Sequence, residues 1–335
     1  MKNQTHRFYN HKLLPLFSGV LLVFLTVAGA TVGKGNPVAD FDGDGKSDIS
    51  VFRPSDGYWY IAKSSGGFLS VKWGLATDYL VPGDYDGDGK TDVAVYRMNF
   101  SPDPQSSVYN TWYILRSSDN AFLARPWGKN LGLLGYDTPT PADYDGDDKT
   151  DLAVYYMSDA IGSAGNFKIL QSSDNSANIR DWGFNTDFII PADYDGDGKA
   201  DLAVYRGSRF GTEVNAWFIL QSSTNTVRVE HFGLGSDQLV PADYDGDGKT
   251  DIAVWRPSNG FWYHINSRDN SFSATQFGLS TDKVVPADYD GDGKTDIAVF
   301  RPSSGIWYLQ RSTEGFAARQ FGLSDDIPIP NILVR

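Results

Sequence analysis

The sequence contains no cysteine. Disulfides, thiol catalysis, cysteine-ligated zinc and a lipid-modified N-terminal cysteine are thereby excluded. Histidine is nearly as scarce. Of four, only His231 and His264 lie beyond the first thirty residues, and both sit in strand-like stretches. No G-x-S-x-G, H-E-x-x-H or phosphate-cradling motif occurs, so no catalytic constellation is legible and the chain reads as a non-enzyme. Basic residues are outnumbered 29 to 42, for a formal charge of −13. That balance argues against a nucleic-acid backbone or an anionic membrane as the main partner. No segment carries a sustained 3.6-residue period, which rules out a helical solenoid.

Long apolar runs are missing too, except for one. Lys2, Arg7 and Lys12 precede a run from Leu13 to Ala30 that ends Ala28-Gly29-Ala30. A basic n-region, an apolar h-region and a small-x-small end predict a secretory signal over residues 1–30, cleaved after Ala30. An uncleaved anchor is the alternative. Pro15, Ser18 and Gly19 interrupt the run and disfavour it as a stable span. The expected product is secreted or periplasmic, with no membrane insertion after cleavage. Residues 31–35 form a short linker and 36–335 a single domain. The first thirty residues hold three cations and no acid, so the remainder carries −16.

What is abundant is aspartate, at fixed places. Asp243-Tyr244-Asp245-Gly246-Asp247-Gly248-Lys249-Thr250-Asp251 puts Asp at positions 1, 3, 5 and 9 of nine, with Gly at position 6. Nearly the same nine residues start at Asp40, Asp84, Asp143, Asp193, Asp243 and Asp288, at intervals of 44, 59, 50, 50 and 45. Six loops of four Asp supply 24 of the 42 acidic residues. Self-similarity at this period signals a propeller or solenoid.

One unit reads as four short strands. Leu239-Val240-Pro241-Ala242 leads into the Asp loop. Ile252-Ala253-Val254-Trp255-Arg256 is apolar on both faces, as a strand packed on both sides must be. Pro257-Ser258-Asn259-Gly260 turns into Phe261-Trp262-Tyr263-His264-Ile265. Ser267-Arg268-Asp269-Asn270 turns into the more polar Ser273-Ala274-Thr275-Gln276-Phe277. An apolar first strand near an axis and a polar last strand at the rim describe an antiparallel propeller blade. The fold class is therefore all-β, a β-propeller of six four-stranded blades. Asn36-Pro37-Val38-Ala39 and Asp326-Ile327-Pro328-Ile329-Pro330-Asn331 both resemble a first strand. Six blades closed by the C-terminal segment are preferred, because closure removes exposed edges; a seventh, truncated blade is the alternative.

The loops suit calcium, a hard cation that takes six to eight oxygens. The expected ligands are Asp40, Asp42, Asp44 and Asp48 in the first loop and Asp84, Asp86, Asp88 and Asp92 in the second. Asp143, Asp145, Asp147 and Asp151 follow, then Asp193, Asp195, Asp197 and Asp201. Asp243, Asp245, Asp247 and Asp251, and finally Asp288, Asp290, Asp292 and Asp296, complete six sites. Four carboxylates within nine residues repel one another unless neutralised. An EF-hand is excluded, because its bidentate Glu at position 12 is here Val51, Val95, Val154, Val204, Val254 or Val299, already in a strand. In the third loop Asp148 replaces the position-6 Gly, so that site is expected to be the weakest or distorted.

These residues carry a resemblance. Over about residues 36–331 the repeats resemble the FG-GAP/VCBS repeat family, the calcium-loop blades also found in the integrin α-subunit propeller. The resemblance implies a calcium-binding propeller with the loop between the first and second strands. It also implies adhesion or lectin-like binding, or attachment to polysaccharide-acting enzymes, among its roles.

Ligand binding is sought where repetition fails. From the end of strand two to the aromatic of strand three, blades 1, 5 and 6 take six steps, as from Arg256 to Trp262. Blade 2 takes fifteen, Arg97 to Trp112, and blades 3 and 4 eleven each, Tyr156 to Phe167 and Arg206 to Trp217. The connection from Gly128 to Thr140 is also long. Long loops on a rigid scaffold are the usual place for recognition, so Phe100, Tyr109, Arg209 and Phe210 are candidate contacts; harmless loop drift is the alternative. Asp159 or Glu213 would be the catalytic candidates in an enzyme. The recurring Trp59, Trp112, Trp217, Trp262 and Trp307, with Trp73, Trp127 and Trp182 on outer strands, are expected to pack rather than bind. The recurring Arg53, Arg97, Arg206, Arg256 and Arg301 are expected to pair with acids. The expectation is a secreted calcium-binding module with an extracellular glycan or surface-protein partner. A purely structural repeat protein and a polysaccharide-active enzyme are the alternatives.

Overall fold

The computed structural model describes residues 38–100, 108–132, 135–158, 160, 162–207 and 215–330. The predicted signal segment, together with Asp159, Arg209, Phe210, Glu213 and Asn331, lies outside the described residues.

Twenty-four strands form six four-stranded antiparallel sheets, and no helix interrupts them among the described residues. Blade 2 shows the plan: β4 (Tyr79–Leu80), β5 (Val93–Arg97), β6 (Thr111–Leu115) and β7 (Phe122–Pro126). Blade 3 comprises β8 (Tyr136–Pro139), β9 (Leu152–Met157), β10 (Ala164–Leu170) and β11 (Ala177–Phe184). Blade 4 comprises β12 (Phe188–Ile189), β13 (Leu202–Arg206), β14 (Ala216–Leu220) and β15 (Val227–His231). Blade 5 comprises β16 (Gln238–Leu239), β17 (Ile252–Arg256), β18 (Phe261–Ile265) and β19 (Phe272–Gln276). Blade 6 comprises β20 (Lys283–Val284), β21 (Ile297–Arg301), β22 (Ile306–Arg311) and β23 (Gly315–Gln320).

Burial follows the side-chain chemistry across each blade. The second strands, rich in β-branched and aromatic residues, are buried on both faces over their first four positions. The third strands alternate, and the fourth keep exposed positions at every other residue, as an outer edge should.

Blade 1 settles the blade count. β1 (Ile49–Arg53), β2 (Tyr58–Ala62) and β3 (Phe68–Lys72) lack an inner strand of their own, and β24 (Ile327–Ile329) supplies it. Ser50 pairs with Ile329, Val51 with Pro328 and Phe52 with Ile327. Arg53 also grips Asp326 through Nε and Nη2, at 2.8 and 2.9 Å. The ring is therefore six-bladed and closed by the C-terminal segment. Val38-Ala39, at the other end, runs straight into the first Asp loop, where the Ala39 carbonyl accepts from Asp48 N–H.

The tryptophans pack. Trp59, Trp112, Trp217, Trp262 and Trp307 are fully buried, and each indole N–H donates to a carbonyl at the end of its own blade's outer strand. Phe167 takes the same place in blade 3. Trp73, Trp127 and Trp182 instead donate across to Tyr113, Lys168 and Phe218 carbonyls of the next blade. Indole N–H groups left unpaired in such a core would cost about 1–3 kcal/mol each, so this pattern fixes blade spacing as well as filling volume. The glycine after these residues is required. Gly74 adopts φ +101°, and a Cβ there would stand 2.8 Å from Val95 of the next blade.

Candidate metal centres

Each Asp loop is folded by its own carboxylates. In the first, Asp40 accepts Gly43 N–H on Oδ1 at 2.6 Å and Gly45 N–H on Oδ2 at 2.9 Å. Asp48 accepts Phe41 N–H at 2.9 Å and, from the turn between strands three and four, Ser64 N–H at 2.7 Å. The other loops repeat both patterns. The position-5 carboxylate accepts the position-7 N–H, as Asp44 does from Lys46 at 3.0 Å.

Position 3 is different. Asp42, Asp86, Asp145, Asp245 and Asp290 each keep a buried Oδ1 with no hydrogen-bond partner. A buried carboxylate oxygen left unsatisfied is costly, and five of them at one repeated position mark a place built for something else. Ligand atoms of Asp40, Asp42 and Asp48 lie within 4.8 Å of one another, as do those of Asp84, Asp86 and Asp92, of Asp143, Asp145 and Asp151, and of Asp243, Asp245 and Asp251. In the fourth loop the grouped residues are Asp193, Asp195 and Asp197. Positions 1, 3 and 9 thus converge in loops 1, 2, 3 and 5, where the position-5 carboxylates Asp44, Asp88, Asp147 and Asp247 stand outside those groups.

Burial acts on the position-9 carboxyls. Desolvation, reinforced by the neighbouring aspartates, pushes Asp48, Asp251 and Asp296 up to about 6. Asp92, Asp151 and Asp201 are pushed up to about 7 by the same causes. The position-1 carboxyls are raised as well, by burial first. A set of all-oxygen donors that resists carrying its own charge fits a hard divalent cation.

The third loop is not distorted. Asp148 takes the left-handed conformation at φ +63°, and its N–H reaches Asp143 Oδ2 at 2.9 Å, as Gly45 reaches Asp40. Its irregularity is confined to the backbone, because a side chain at the equivalent Gly45 would meet nothing within 4 Å. Asp148→Gly is expected to raise stability by no more than about 1 kcal/mol, since relief of left-handed strain is offset by a freer unfolded chain. Urea unfolding would measure it.

Two features escaped the sequence. The first is a hydroxyl clamp. Ser65, Ser118, Ser173 and Ser223 donate to the position-3 carboxylates Asp42, Asp86, Asp145 and Asp195, at 2.5–2.6 Å. The recurrence of Ser-Ser at 64–65, 117–118, 172–173 and 222–223 was the available signal. The second is a hoop joining the loops. The position-8 N–H of each loop donates to the position-1 carbonyl of the loop before: Thr91 to Asp40, Thr150 to Asp84, Ala200 to Asp143, Thr250 to Asp193, Thr295 to Asp243 and Ser47 to Asp288, all at 2.6–2.7 Å. The six bonds close on themselves.

The arginines behave as expected. Arg53, Arg97, Arg206, Arg256 and Arg301 make paired bonds to Asp326, Asp78, Asp187, Asp237 and Asp282. In blade 3 Lys168 reaches Asp137 instead, at 2.8 Å. Each aspartate also accepts a backbone N–H of the connection it closes.

On the irregular side, Phe100 and Tyr109 flank the blade 2 insert and are 63% and 41% exposed. Phe100 bridges to Asn130 and packs on Gly132, so this flank of the insert rests against the long connection to blade 3. Lys129 Nζ stands 4.9 Å from the Tyr109 ring centroid. Part of the blade 3 insertion is not loop: it lengthens β10 and β11, with a bulge between Ala164 and Asn166.

A family model described as FG-GAP-like repeat matches residues 40–95 and 243–299. Each match runs from position 1 of one Asp loop to position 12 of the next, so the matched unit is the loop-to-loop repeat seen in the fold. The chain is a propeller of FG-GAP/VCBS-type repeats. A chain of the structure described as "Crystal structure of BBS1N in complex with ARL6DN, soaked with lead" is similar to it with a TM-score of 0.51 and 12% identity, over 89% of this chain and 85% of that one. AofleA from Arthrobotrys oligospora gives 0.49 and 11%, over 92% and 97%. A streptogramin B lyase gives 0.47 and 9%, over 90% and 88%. At these identities the likeness is one of fold alone. The comparison with curated proteins found no match.

Proposed function

We propose that this protein is a secreted calcium-binding propeller that works as a binding or adhesion module rather than an enzyme, with an extracellular glycan or cell-surface ligand. The observation that carries the calcium reading is the buried, unpartnered Oδ1 repeated at position 3 of five loops. An oxygen-only site beside raised carboxyls is what a hard cation satisfies. Asp40, Asp42 and Asp48, and their equivalents, would hold the ion. It would supply charge neutralisation and hold each loop against the turn between strands three and four. The amino-terminal stretch, with its basic and then apolar residues, supports export. Calcium outside the cell is abundant enough to fill sites with dissociation constants of about 10⁻⁴–10⁻³ M.

The binding reading is supported by the blade 2 insert. Its Phe100 and Tyr109 are exposed aromatics on a rigid scaffold, and such rings stack on the apolar faces of sugars. A glycan array probed with the whole protein, and with residues 98–110 replaced by the short turn of blade 5, tests this. Glycan binding lost in the variant supports the proposed face. Binding kept by the variant overturns that face, and no glycan signal from either protein overturns the ligand class. Closed hydrogen bonding between the loops favours a second reading, in which calcium serves the scaffold alone; an empty array with calcium-dependent stability would favour it.

A further inference from the structure

We infer that the fifth loop is the weak calcium site, because Arg268 places a competing cation at its mouth. The inference rests on the calcium reading above and concerns what distinguishes one site from the rest. The turn between strands three and four supplies a hydroxyl to the position-3 carboxylate in blades 1 to 4. In blade 6 Thr313 stands at this turn position and donates its N–H to Asp290 at 3.0 Å. Blade 5 alone has a cation there. Arg268 donates its backbone N–H to Asp245 Oδ2 at 3.3 Å, and its Nη2 reaches the Asp245 carbonyl at 3.2 Å. The same Nη2 stands 3.7 Å from Asp245 Oδ1.

That oxygen is the one that loops 1, 2, 3 and 6 also keep buried and without a hydrogen bond; in loop 4 the Asp195 Oδ1 accepts Asp197 N–H at 3.3 Å. The Asp245 side chain is only 10% exposed, its Oδ1 accepts no hydrogen bond, and it belongs to the group with Asp243 and Asp251. A dication held by these three residues must share Asp245 with a guanidinium that cannot shed its charge. Arg268 is half exposed, at 56%, so water screens the repulsion. Even in largely aqueous surroundings, a unit charge within about 5–6 Å of a dication weakens binding by on the order of tenfold. The third loop carries backbone strain but no added cation, and its ligand frame matches the others. The fifth loop therefore ranks below the third.

Calcium bound per chain, measured by equilibrium dialysis over a range of free calcium, tests this on the whole protein. The expected isotherm has five sites in one class and a sixth about tenfold weaker. Arg268→Ser, which restores the residue of blades 1 to 4, should merge all six, and Arg268→Gln, which keeps the length and removes the charge, should do the same. Asp243→Asn should leave the tight class at five, while Asp193→Asn lowers it to four. Isotherms unchanged by both Arg268 variants, or a tight site lost in Asp243→Asn, overturn the inference and leave the calcium reading standing. No bound calcium in the unaltered protein overturns the calcium reading, and this inference with it.

Discussion

Chelating calcium should lower the unfolding midpoint of this protein by ten degrees or more. The size follows from mass action. A site that binds only the folded state stabilises it by RT ln(1 + [L]/Kd). At about 1 mM calcium and a dissociation constant near 10⁻⁴ M, each tight site contributes about 1.4 kcal/mol, and five of them with one tenfold weaker site contribute about 7.5 kcal/mol. A domain of about 300 residues unfolds with an entropy near 0.6 kcal/mol/K, so the midpoint should fall by about 13 °C. Circular dichroism melts with excess chelator, and again after calcium is restored, measure this. An unchanged melt would sink the metal assignment. The expected direction follows from the proposed sites: without an ion, the position-3 Oδ1 of five loops stays buried with no hydrogen bond, and burial disfavours charge on the position-9 carboxyls.

Removing residues 324–335 should have a still larger effect, leaving no folded monomer. The truncation deletes β24 and with it the inner strand of blade 1. Ile329 is 2% exposed, and losing its contacts alone is worth about 2–5 kcal/mol. Arg53 loses both bonds to Asp326, and the bond from Ser50 Oγ to the Ile329 carbonyl goes as well. β1 would then become an open edge with bare N–H and C=O groups, which templates association between chains. Size-exclusion chromatography should show aggregate or oligomer in place of the monomer peak. Asp326→Asn, which keeps the strand and weakens only the ion pair, should cost about 1–3 kcal/mol and still yield a monomer. A truncated chain that remained monomeric and cooperative would show that ring closure contributes little.

Much of this architecture was readable in the chain because each blade restates the same rules. Apolar residues on both faces of Ile252–Arg256 identified a strand packed on both sides, and the structure buries it so. Valine at position 12 excluded an EF-hand, and those valines lie in second strands pressed against the glycines of the preceding blade. The arginines found acids, although which aspartate each would meet depended on a partner 19 residues away, or 273 away for Arg53. The spacing also left six and seven blades both open; only the pairing of Ser50 with Ile329 decides between them.

What stayed hidden involves contacts between segments rather than patterns within one. The position-5 aspartates looked like ligands because they alternate with positions 1 and 3. In the loop each also accepts the position-7 N–H, and Asp197 still falls within a three-carboxylate group. The serine clamp spans a hairpin, so no local period reveals it. In blade 3 the added residues between Tyr156 and Phe167 looked like loop, and part of them became strand, because a hairpin can extend wherever cross-strand partners continue to match.

The hoop of six bonds that links the Asp loops has a consequence for how the molecule comes apart. A chain of contacts with two ends can fray from either one; a circle offers no such starting point. Each loop shares its first carbonyl with one neighbour and its eighth N–H with the other, so loosening any member withdraws support from two. The twelve amide and carbonyl groups are shared out evenly, one of each per loop. Opening of any one loop therefore breaks two of the six bonds and loosens both of its neighbours.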